Sequence, residues 1–164
     1  MASENKFTSL VVVSSEAIGG EVLYASDEWF AYAENLIKPG RGVWKEGLFT
    51  RDGKWMDGWE TARHGLLNRN GSDYALIKIV PSILYGVDID TNNFTGNYSQ
   101  FASLEGINVE GSPPWHILKD MKWEPILPKS ALVSGVAGKG HNYFAFKETA
   151  KVNRKVLLLK GERE

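Results

Sequence analysis

Acidic and basic side chains stand among tryptophans in one short segment of the chain. Asp57, Glu60 and Arg63 occur there together with Trp55 and Trp59. Charged groups beside large apolar rings cost free energy unless they are paired or used for binding. A guanidinium matches a carboxylate as a flat fork, and carboxylates accept hydrogen bonds from N–H groups. The segment therefore suits a small anionic ligand that is rich in N–H donors.

Two further segments carry carboxylates and amides in apolar surroundings. Asp27 and Glu28 precede a run of aromatic residues that ends near Asn35. Asp88 and Asp90 alternate on a predicted strand that leads into an amide-rich loop, so we expect them to share one face of that strand. The structural alternative is that the charged groups only pair with one another and that the tryptophans are core. Taken alone, the residues favour this structural interpretation.

Other chemistry finds less support in the residue types. His64 and His141 are acid–base candidates, but a lone histidine is more often structural, and no spacing typical of a metal site joins them. Asp88 and Asp90 faintly resemble a calcium loop, without the glycine and the terminal glutamate that such a loop requires. The absence of cysteine excludes disulfides and thiolate chemistry. We expect no metal site, and no cofactor is visible.

Size and charge limit the class of protein. The 164 residues fit one domain, 1–164, and 43% hydrophobic with 24% charged residues is a globular composition. The formal net charge of −1 lacks the basic excess of a nucleic-acid binder. The longest apolar run, residues 10–13, is too short to span a membrane. With no secretory signal visible, a cytoplasmic location is expected, and a peroxisomal one is not excluded.

The periodicity is mostly that of strands. Short segments rich in β-branched and aromatic residues, bounded by Gly, Asn, Asp or Pro, predict an all-β sandwich or barrel. The predicted strands are 7–13, 21–25, 55–63, 74–80, 83–90, 100–105, 122–127, 142–146 and 152–159. One short helix is predicted over 27–37, because Ser26 or Asp27 can cap it, acidic residues follow in its first turn, and Pro39-Gly40 ends it.

Four motifs, in this order, resemble the allantoicase family. They are residues 19–37, the segment Gly-Lys-Trp-Met-Asp-Gly-Trp-Glu-Thr at 53–61, residues 86–97, and Gly-His-Asn-Tyr-Phe at 140–144. The tryptophan motif is the most distinctive, and the last is similar to a segment of animal members. The resemblance is good over about 7–105 and looser to about 147, and residues 148–164 form a divergent tail.

The resemblance implies a fold and an activity. Members of the family hydrolyse allantoate to ureidoglycolate and urea in purine breakdown. Their usual chain has two repeats, each a jelly-roll β-sandwich similar to galactose-binding-like domains, and this chain matches one repeat. Together with the residue chemistry above, the resemblance implies that the catalytic residues are Asp57, Glu60 and Glu28. It implies that the substrate is bound by Arg63, Trp55, Trp59, Asp27, Asp88 and Asn35.

Departures from the family pattern keep alternatives open. Ala62 stands where members usually have the first of two basic residues, and the Arg-rich closing strand of the family is not recognisable after residue 147. The chain is alternatively a catalytically inactive family domain, or a jelly-roll module that binds small ligands or carbohydrate. We expect it to form a homo-oligomer or to pair with another allantoicase repeat. The apolar run Val156–Leu159 predicts that residues 152–159 dock on the sandwich or on a partner.

Overall fold

A computed structural model describes residues 6–51, 53–62, 71–136, 138–148 and 153–162. These residues form a jelly-roll β-sandwich, as expected. Its strands are β1 (Glu21–Ala25), β2 (Phe49–Thr50), β3 (Gly53–Lys54), β4 (Ser72–Ile83), β5 (Gly86–Asp88), β6 (Phe101–Ile107), β7 (Glu124–Ala131), β8 (Tyr143–Ala145) and β9 (Asn153–Glu162). One α-helix, α1 (Trp115–Leu118), and three 3₁₀ turns, Lys6–Ser9, Glu16–Ile18 and Ala33–Ile37, complete the regular elements. No helix in the described ranges is long and apolar enough to cross a membrane.

The main layer is a five-stranded antiparallel sheet in the order β1-β4-β9-β6-β7. Strand β9 lies inside it, where Leu159 pairs with Ala75 of β4 on one side and with Leu104 of β6 on the other. The prediction that residues 152–159 dock on the sandwich is therefore confirmed for residues 153–159, the part that the structure describes. The strand continues to Glu162, beyond the predicted end.

Alternating side chains give the main sheet two apolar faces. Ile77 and Leu157 face an inner core, which is closed by the residues around the β5–β8 pair, among them Leu84 and Phe146. The opposite face carries an outer core. Its buried members are Leu76, Ile107, Val109, Leu118, Val156 and Leu158, with α1 and its flanking residues packed over them. Because both faces are covered, the middle of each central strand is a continuous apolar run, at 74–77 in β4 and at 156–159 in β9.

Most predicted strands are present, with shifted ends. Strand β1 has the predicted bounds, and the segments predicted at 74–80, 83–90, 100–105, 122–127 and 142–146 correspond to β4, β5, β6, β7 and β8. The prediction of a strand over 7–13 is wrong. This segment begins as a 3₁₀ turn, and Val11 and Val12 are 73% and 67% exposed. No strand among the described residues pairs with this apolar run, so its composition does not lead to a sheet position.

The predicted helix over 27–37 is also largely wrong. Only Ala33–Ile37 is helical, as a 3₁₀ turn. The carboxylates that were expected to cap a longer helix bond to nearby backbone N–H groups instead: Asp27 accepts from Trp29 N and Glu28 from Ala33 N. Such local bonds compete with helical ones. The pair β2–β3 and helix α1 were not predicted.

Candidate functional site

Apart from Trp55, the described residues that were singled out for their chemistry lie in loops that contact one another. We call residues 27–35, 40–42, 57–62, 88–97 and 139–142 the polar loop cluster. No strand is described over the predicted range 55–63. Instead Glu60 forms an isolated bridge with Ala31, and Trp55–Ala62 is otherwise irregular. The prediction of a strand over 55–63 is therefore wrong for its described part, Trp55–Ala62, and the loop contacts set the site instead.

Glu60 is the most informative carboxylate of the cluster. Its backbone is fixed by the bridge to Ala31, and its Oε1 accepts a 2.8 Å hydrogen bond from Asn97 Nδ2. Its Oε2 is buried and has no hydrogen-bond partner within the described part of the chain. A buried acceptor left without a donor costs about 1–3 kcal/mol. The described residues thus leave one acceptor of Glu60 without a donor.

Asp57 is held close to the same loops. Its Oδ2 accepts a 2.9 Å bond from Nδ2 of Asn93, which adopts a left-handed backbone conformation with φ 68°. A Cβ on Gly42 would lie 2.8 Å from that Asp57 oxygen, and a Cβ on Gly58 would lie 2.5 Å from the Phe94 ring. Glycine at these two positions lets the loops approach closely enough to place the carboxylate.

Asp27 and Glu28 have their carboxylates engaged by the backbone. Asp27 Oδ1 accepts from Trp29 N at 2.7 Å and Oδ2 from Ala62 N at 2.6 Å. The Asp27 carbonyl also accepts the Trp59 indole N–H at 2.8 Å. Glu28 Oε1 accepts from Ala33 N at 2.8 Å. Asp27 thus joins the first motif to the tryptophan motif, whereas the bond of Glu28 is local.

Asn35 and Trp55 use their polar atoms within the protein. Asn35 Nδ2 donates to the Gly58 carbonyl at 3.1 Å, which ties the first motif to the tryptophan motif a second time. Trp55 Nε1 donates to the Val43 carbonyl at 3.0 Å, and Lys45 Nζ lies 4.4 Å from the centre of the Trp55 ring. Trp55 therefore packs on the loop that precedes β2, beside the cluster. Arg63 and His64 lie outside the described residues.

A second group of charged residues lies next to the group that contains Asp57 and Glu60, and the loop after β5 connects the two groups. Arg41 Nε and Nη2 donate to the two oxygens of Asp90 at 2.7 and 3.1 Å, and Nη2 also donates to the Lys139 carbonyl at 2.9 Å. His141 Nδ1 lies 2.6 Å from Asp88 Oδ2 and 4.0 Å from Asp90 Oδ2. Both carboxylates lie near the His141 ring. The expectation that Asp88 and Asp90 share one face of a strand is wrong, however, because β5 ends at Asp88 and Asp90 lies in the loop that follows.

The ion pair between Arg41 and Asp90 shifts the pKa values of both side chains. Desolvation raises the pKa of Asp90, but the hydrogen bonds from Arg41 and from Asn92 N outweigh it, so the pKa of Asp90 is lowered. The hydrogen bond to Asp90 raises the pKa of Arg41. Asp90 is therefore an ion-paired carboxylate rather than a proton donor.

Asp88, Asp90 and His141 offer ligand atoms within 4.8 Å of one another, a spacing that a metal ion can bridge. The atoms are already committed, however. Both Asp90 oxygens bind Arg41, and the Asp88 oxygens take His141 Nδ1 and Asn142 N at 2.6 and 3.0 Å. A guanidinium bound to one of the three groups also opposes a divalent cation. The residues form a self-sufficient hydrogen-bonded network, and we assign no metal to it.

The sequence analysis did not identify Arg41, and it assigned no individual role to the amide side chains of Asn93 and Asn97. Arg41 follows a Pro-Gly turn and precedes its partner Asp90 by 49 residues, so no local pattern reveals the pair. Asn93 and Asn97 were noticed only as part of an amide-rich loop, but they donate to Asp57 and Glu60. The signal that could have found them is the density of asparagines, three within residues 91–97, in the loop directly after the two aspartates.

The fold and the cluster define a class: a jelly-roll domain whose loops hold carboxylates oriented by asparagine amides. Comparison with known proteins is specific. The profile of the Allantoicase repeat matches residues 11–158. A "Probable allantoicase" of Pseudomonas aeruginosa is 41% identical over 144 residues, which are 87% of this chain and 40% of that protein. The allantoicase of Dictyostelium discoideum is 44% identical over 122 residues, 73% of this chain and 32% of that one.

Solved structures agree with the sequence comparisons. The crystal structure of Saccharomyces cerevisiae allantoicase superposes with a TM-score of 0.72 at 31% identity, covering 93% of this chain and 44% of that one. A second allantoicase structure gives a TM-score of 0.74 at 30% identity, covering 92% and 43%. The chain belongs to the allantoicase family. It spans about 40% of the length of its bacterial relative.

Proposed function

We propose that this chain takes part in the hydrolysis of allantoate to ureidoglycolate and urea, and that the polar loop cluster is the site. The observation that carries the proposal is the buried, unpartnered Oε2 of Glu60, beside the Asn97 amide and in the same cluster as the Asn93-bound carboxylate of Asp57. Membership of the allantoicase family supports the choice of substrate.

The chemistry of allantoate matches these groups. The molecule carries two ureido groups and one carboxylate on a single carbon, so it offers several N–H donors and one anion. Glu60 Oε2 is placed to accept a ureido N–H, and Asp57 supplies a second acceptor. Arg63, outside the described residues, is proposed to pair with the substrate carboxylate as a two-pronged fork. Release of urea needs a proton for the leaving nitrogen and a water molecule for the central carbon.

The other predicted site residues receive supporting roles in this proposal. Asp27 and Asn35 hold the first motif against the tryptophan motif, because both bond to residues of that segment. Trp59 is held by its bond to Asp27 and is proposed to wall the site, as is Trp55. Glu28 Oε2 is the remaining candidate for proton transfer, since Glu28 Oε1 already accepts from the backbone.

The setting of the reaction is part of the proposal. We infer that the chain acts in purine breakdown, in the cytoplasm, and that it pairs with another allantoicase repeat or with a second copy of itself. The P. aeruginosa relative is more than twice as long as the segment that matches this chain. Full turnover is therefore proposed to require such pairing.

The test is a urea-release assay with allantoate, combined with calorimetric binding. Asp57→Asn keeps the shape of the side chain but removes its charge, and we expect it to lower kcat/KM by about 10²-fold or more. Asp120→Asn, at an exposed position after α1, is the matched control and should leave kcat/KM unchanged. Allantoate binding without turnover would favour the inactive-domain alternative. Absence of both binding and turnover, alone and with a second repeat, would refute the proposal.

A further inference from the structure

His141 is held in one orientation on an accessible surface. Its Nδ1 lies 2.6 Å from Asp88 Oδ2, and its ring stacks on Tyr143 with centroids 5.0 Å apart and planes 13° apart. The other Asp88 oxygen accepts from Asn142 N at 3.0 Å, so the carboxylate is also fixed. The His141 side chain is nevertheless 36% exposed to solvent, so a substrate can reach it.

The backbone that carries His141 is equally well fixed. The next residue, Asn142, is buried, and its side chain donates to the carbonyls of Ile89 and Gly140 and accepts from Val133 N. These bonds join the His141 segment to the loop after β5 and to the segment after β7. A surface histidine without a role would not require a buried amide side chain to fix the backbone of the adjacent residue. Pre-organisation of this kind is typical of residues that act on a bound molecule.

The contact with Asp88 also selects the tautomer of the ring. An ionised carboxylate has no proton to donate, so the short Nδ1–Oδ2 contact requires the proton on Nδ1. In the neutral ring, Nε2 is then the proton acceptor. In catalytic aspartate–histidine pairs, the carboxylate likewise binds one imidazole nitrogen, and the other nitrogen exchanges a proton with the substrate or with water.

The charges around His141 come from several elements. Asp88 ends β5, Asp90 follows it, Arg41 reaches in from the loop before β2, and the Tyr143 ring covers one side. Arg41 neutralises Asp90, so Asp88 is the carboxylate that acts on the ring. Asn92 Nδ2 donates to the carbonyl of Gly42, which follows Arg41, and a Cβ on Gly42 would lie 2.8 Å from Asp57 Oδ2. The His141 group and the proposed ureide acceptors therefore lie in neighbouring loops.

We propose that His141 is an acid–base residue of this site and that Asp88 is its positioning residue; this inference rests on the proposed function. Nε2 of His141 takes a proton from water as the water oxygen bonds to the central carbon of allantoate. The C–N bond to one ureido group breaks, and its electron pair stays on nitrogen. The imidazolium returns the proton to that nitrogen, which leaves as neutral urea. The water is consumed, and the histidine is regenerated.

The experiment compares His141→Asn and Asp88→Asn with the full chain, and uses His116→Asn on α1 as the matched control. His141→Asn is expected to lower kcat by about 10²–10⁴-fold with little change in KM. Asp88→Asn keeps the acceptor for Asn142 N, so it should fold. It is expected to lower kcat by a smaller factor and to change the pH dependence of kcat. His116→Asn should change neither quantity.

Nitrogen NMR of the histidine rings gives a second readout that does not need turnover. In the parent chain the neutral His141 ring should carry its proton on Nδ1, and Asp88→Asn should abolish that preference. Addition of allantoate should shift the His141 signals and not those of His116. Parent turnover that survives in His141→Asn, or allantoate binding without a His141 shift, overturns the assignment and leaves the proposed function standing. A parent that neither binds nor turns over allantoate, alone and with a second repeat, refutes both.

Discussion

Glu60 shows how a single carboxylate can be costly for folding and useful for binding. One oxygen is satisfied by Asn97, while the other is buried without a donor in the described part of the chain. Neighbouring side chains fix the position of the group but leave one acceptor free. Sites that bind polar ligands often keep such a cost, because the ligand supplies the missing hydrogen bond.

Replacement of Glu60 by glutamine separates stability from binding. The amide of Glu60→Gln can still accept from Asn97, and the buried position then holds a neutral group. We expect the free energy of unfolding to stay the same or rise by about 1 kcal/mol, and allantoate affinity to fall. Urea denaturation and calorimetry on one preparation measure both quantities. Glu110→Gln, an exposed control, should change neither. A large loss of stability in Glu60→Gln would show that the carboxylate is structural.

The Arg41–Asp90 pair predicts a pH-dependent contribution to stability. The pKa of Asp90 is lowered in the folded chain, so its contribution is present above the ordinary aspartate pKa of 3.8 and is lost as the pH falls through the lower folded value. Arg41→Met should therefore lower the free energy of unfolding by about 1 kcal/mol at neutral pH and should leave it almost unchanged in strong acid. The figure is small because both side chains are partly exposed to solvent.

Urea denaturation at several pH values between neutrality and strong acid checks the Arg41 prediction. Lys119→Met, at an exposed lysine after α1, is the control and should show no pH-dependent cost. An equal loss of stability in Arg41→Met at all pH values would mean that the arginine acts through packing rather than through its charge.

At the level of single residues, the sequence marks the carboxylates better than their partners. The tryptophan motif singles out Asp57 and Glu60, because charged groups among indole rings are unusual. The donors to these carboxylates, Asn93 and Asn97, are 36 and 37 residues away, and Arg41 is 49 residues from Asp90. Only the folded loops bring them together. Local patterns therefore identify the acceptors of the site but not the donors.

At the level of elements, β9 is the strand that completes the main sheet. It pairs along most of its length with both β4 and β6, so its backbone bonds are interior ones. Its alternating side chains supply members of both the inner and the outer core, including Leu157 and Leu158. Composition alone, a short apolar run flanked by lysines, was enough to predict docking. The strand's place between β4 and β6 depends on long-range pairing and was not predictable.

Truncation of a β9 side chain should weaken the whole sheet. Leu158 is 5% exposed in the outer core, so Leu158→Ala should lower the free energy of unfolding by about 2–5 kcal/mol. Leu10→Ala is the matched control, because Leu10 is 50% exposed and should lose no more than about 0.5 kcal/mol. Chemical denaturation measures both. Equal, small losses in the two variants would contradict the interior position of β9.

The elements that were wrongly predicted share a physical cause. Segments 7–13, 27–37 and 55–63 have the composition of strands or helices but lie in loops of the described structure, apart from their short 3₁₀ turns. In 27–37, the Asp27 and Glu28 carboxylates bind nearby backbone N–H groups and thereby replace regular hydrogen bonding. Periodicity reports what a segment could bury, whereas side-chain-to-backbone bonds decide whether it becomes regular.

At the level of the whole molecule, large apolar side chains remain on the surface beside the polar loop cluster. Trp29, Phe30 and Tyr32 are 76%, 51% and 52% exposed, and they follow directly after Asp27 and Glu28. Single exposed apolar residues are ordinary, but neighbouring ones rimmed by polar groups are typical of interaction surfaces. The fold class was predictable from composition and turns, whereas this surface depends on the loop that replaces the expected helix.

The exposed aromatic segment predicts that the 164-residue chain self-associates. Burial of Trp29 and Phe30 against a second copy would remove large apolar surface from water, at roughly 25 cal/mol for each Å². Analytical ultracentrifugation should show a sedimentation coefficient that rises with protein concentration. The double variant Trp29→Ser and Phe30→Ser should sediment as a monomer, whereas Ile117→Ser, at a position on α1 that is 49% exposed, should behave like the parent. A parent chain that stays monomeric at all concentrations would contradict the prediction.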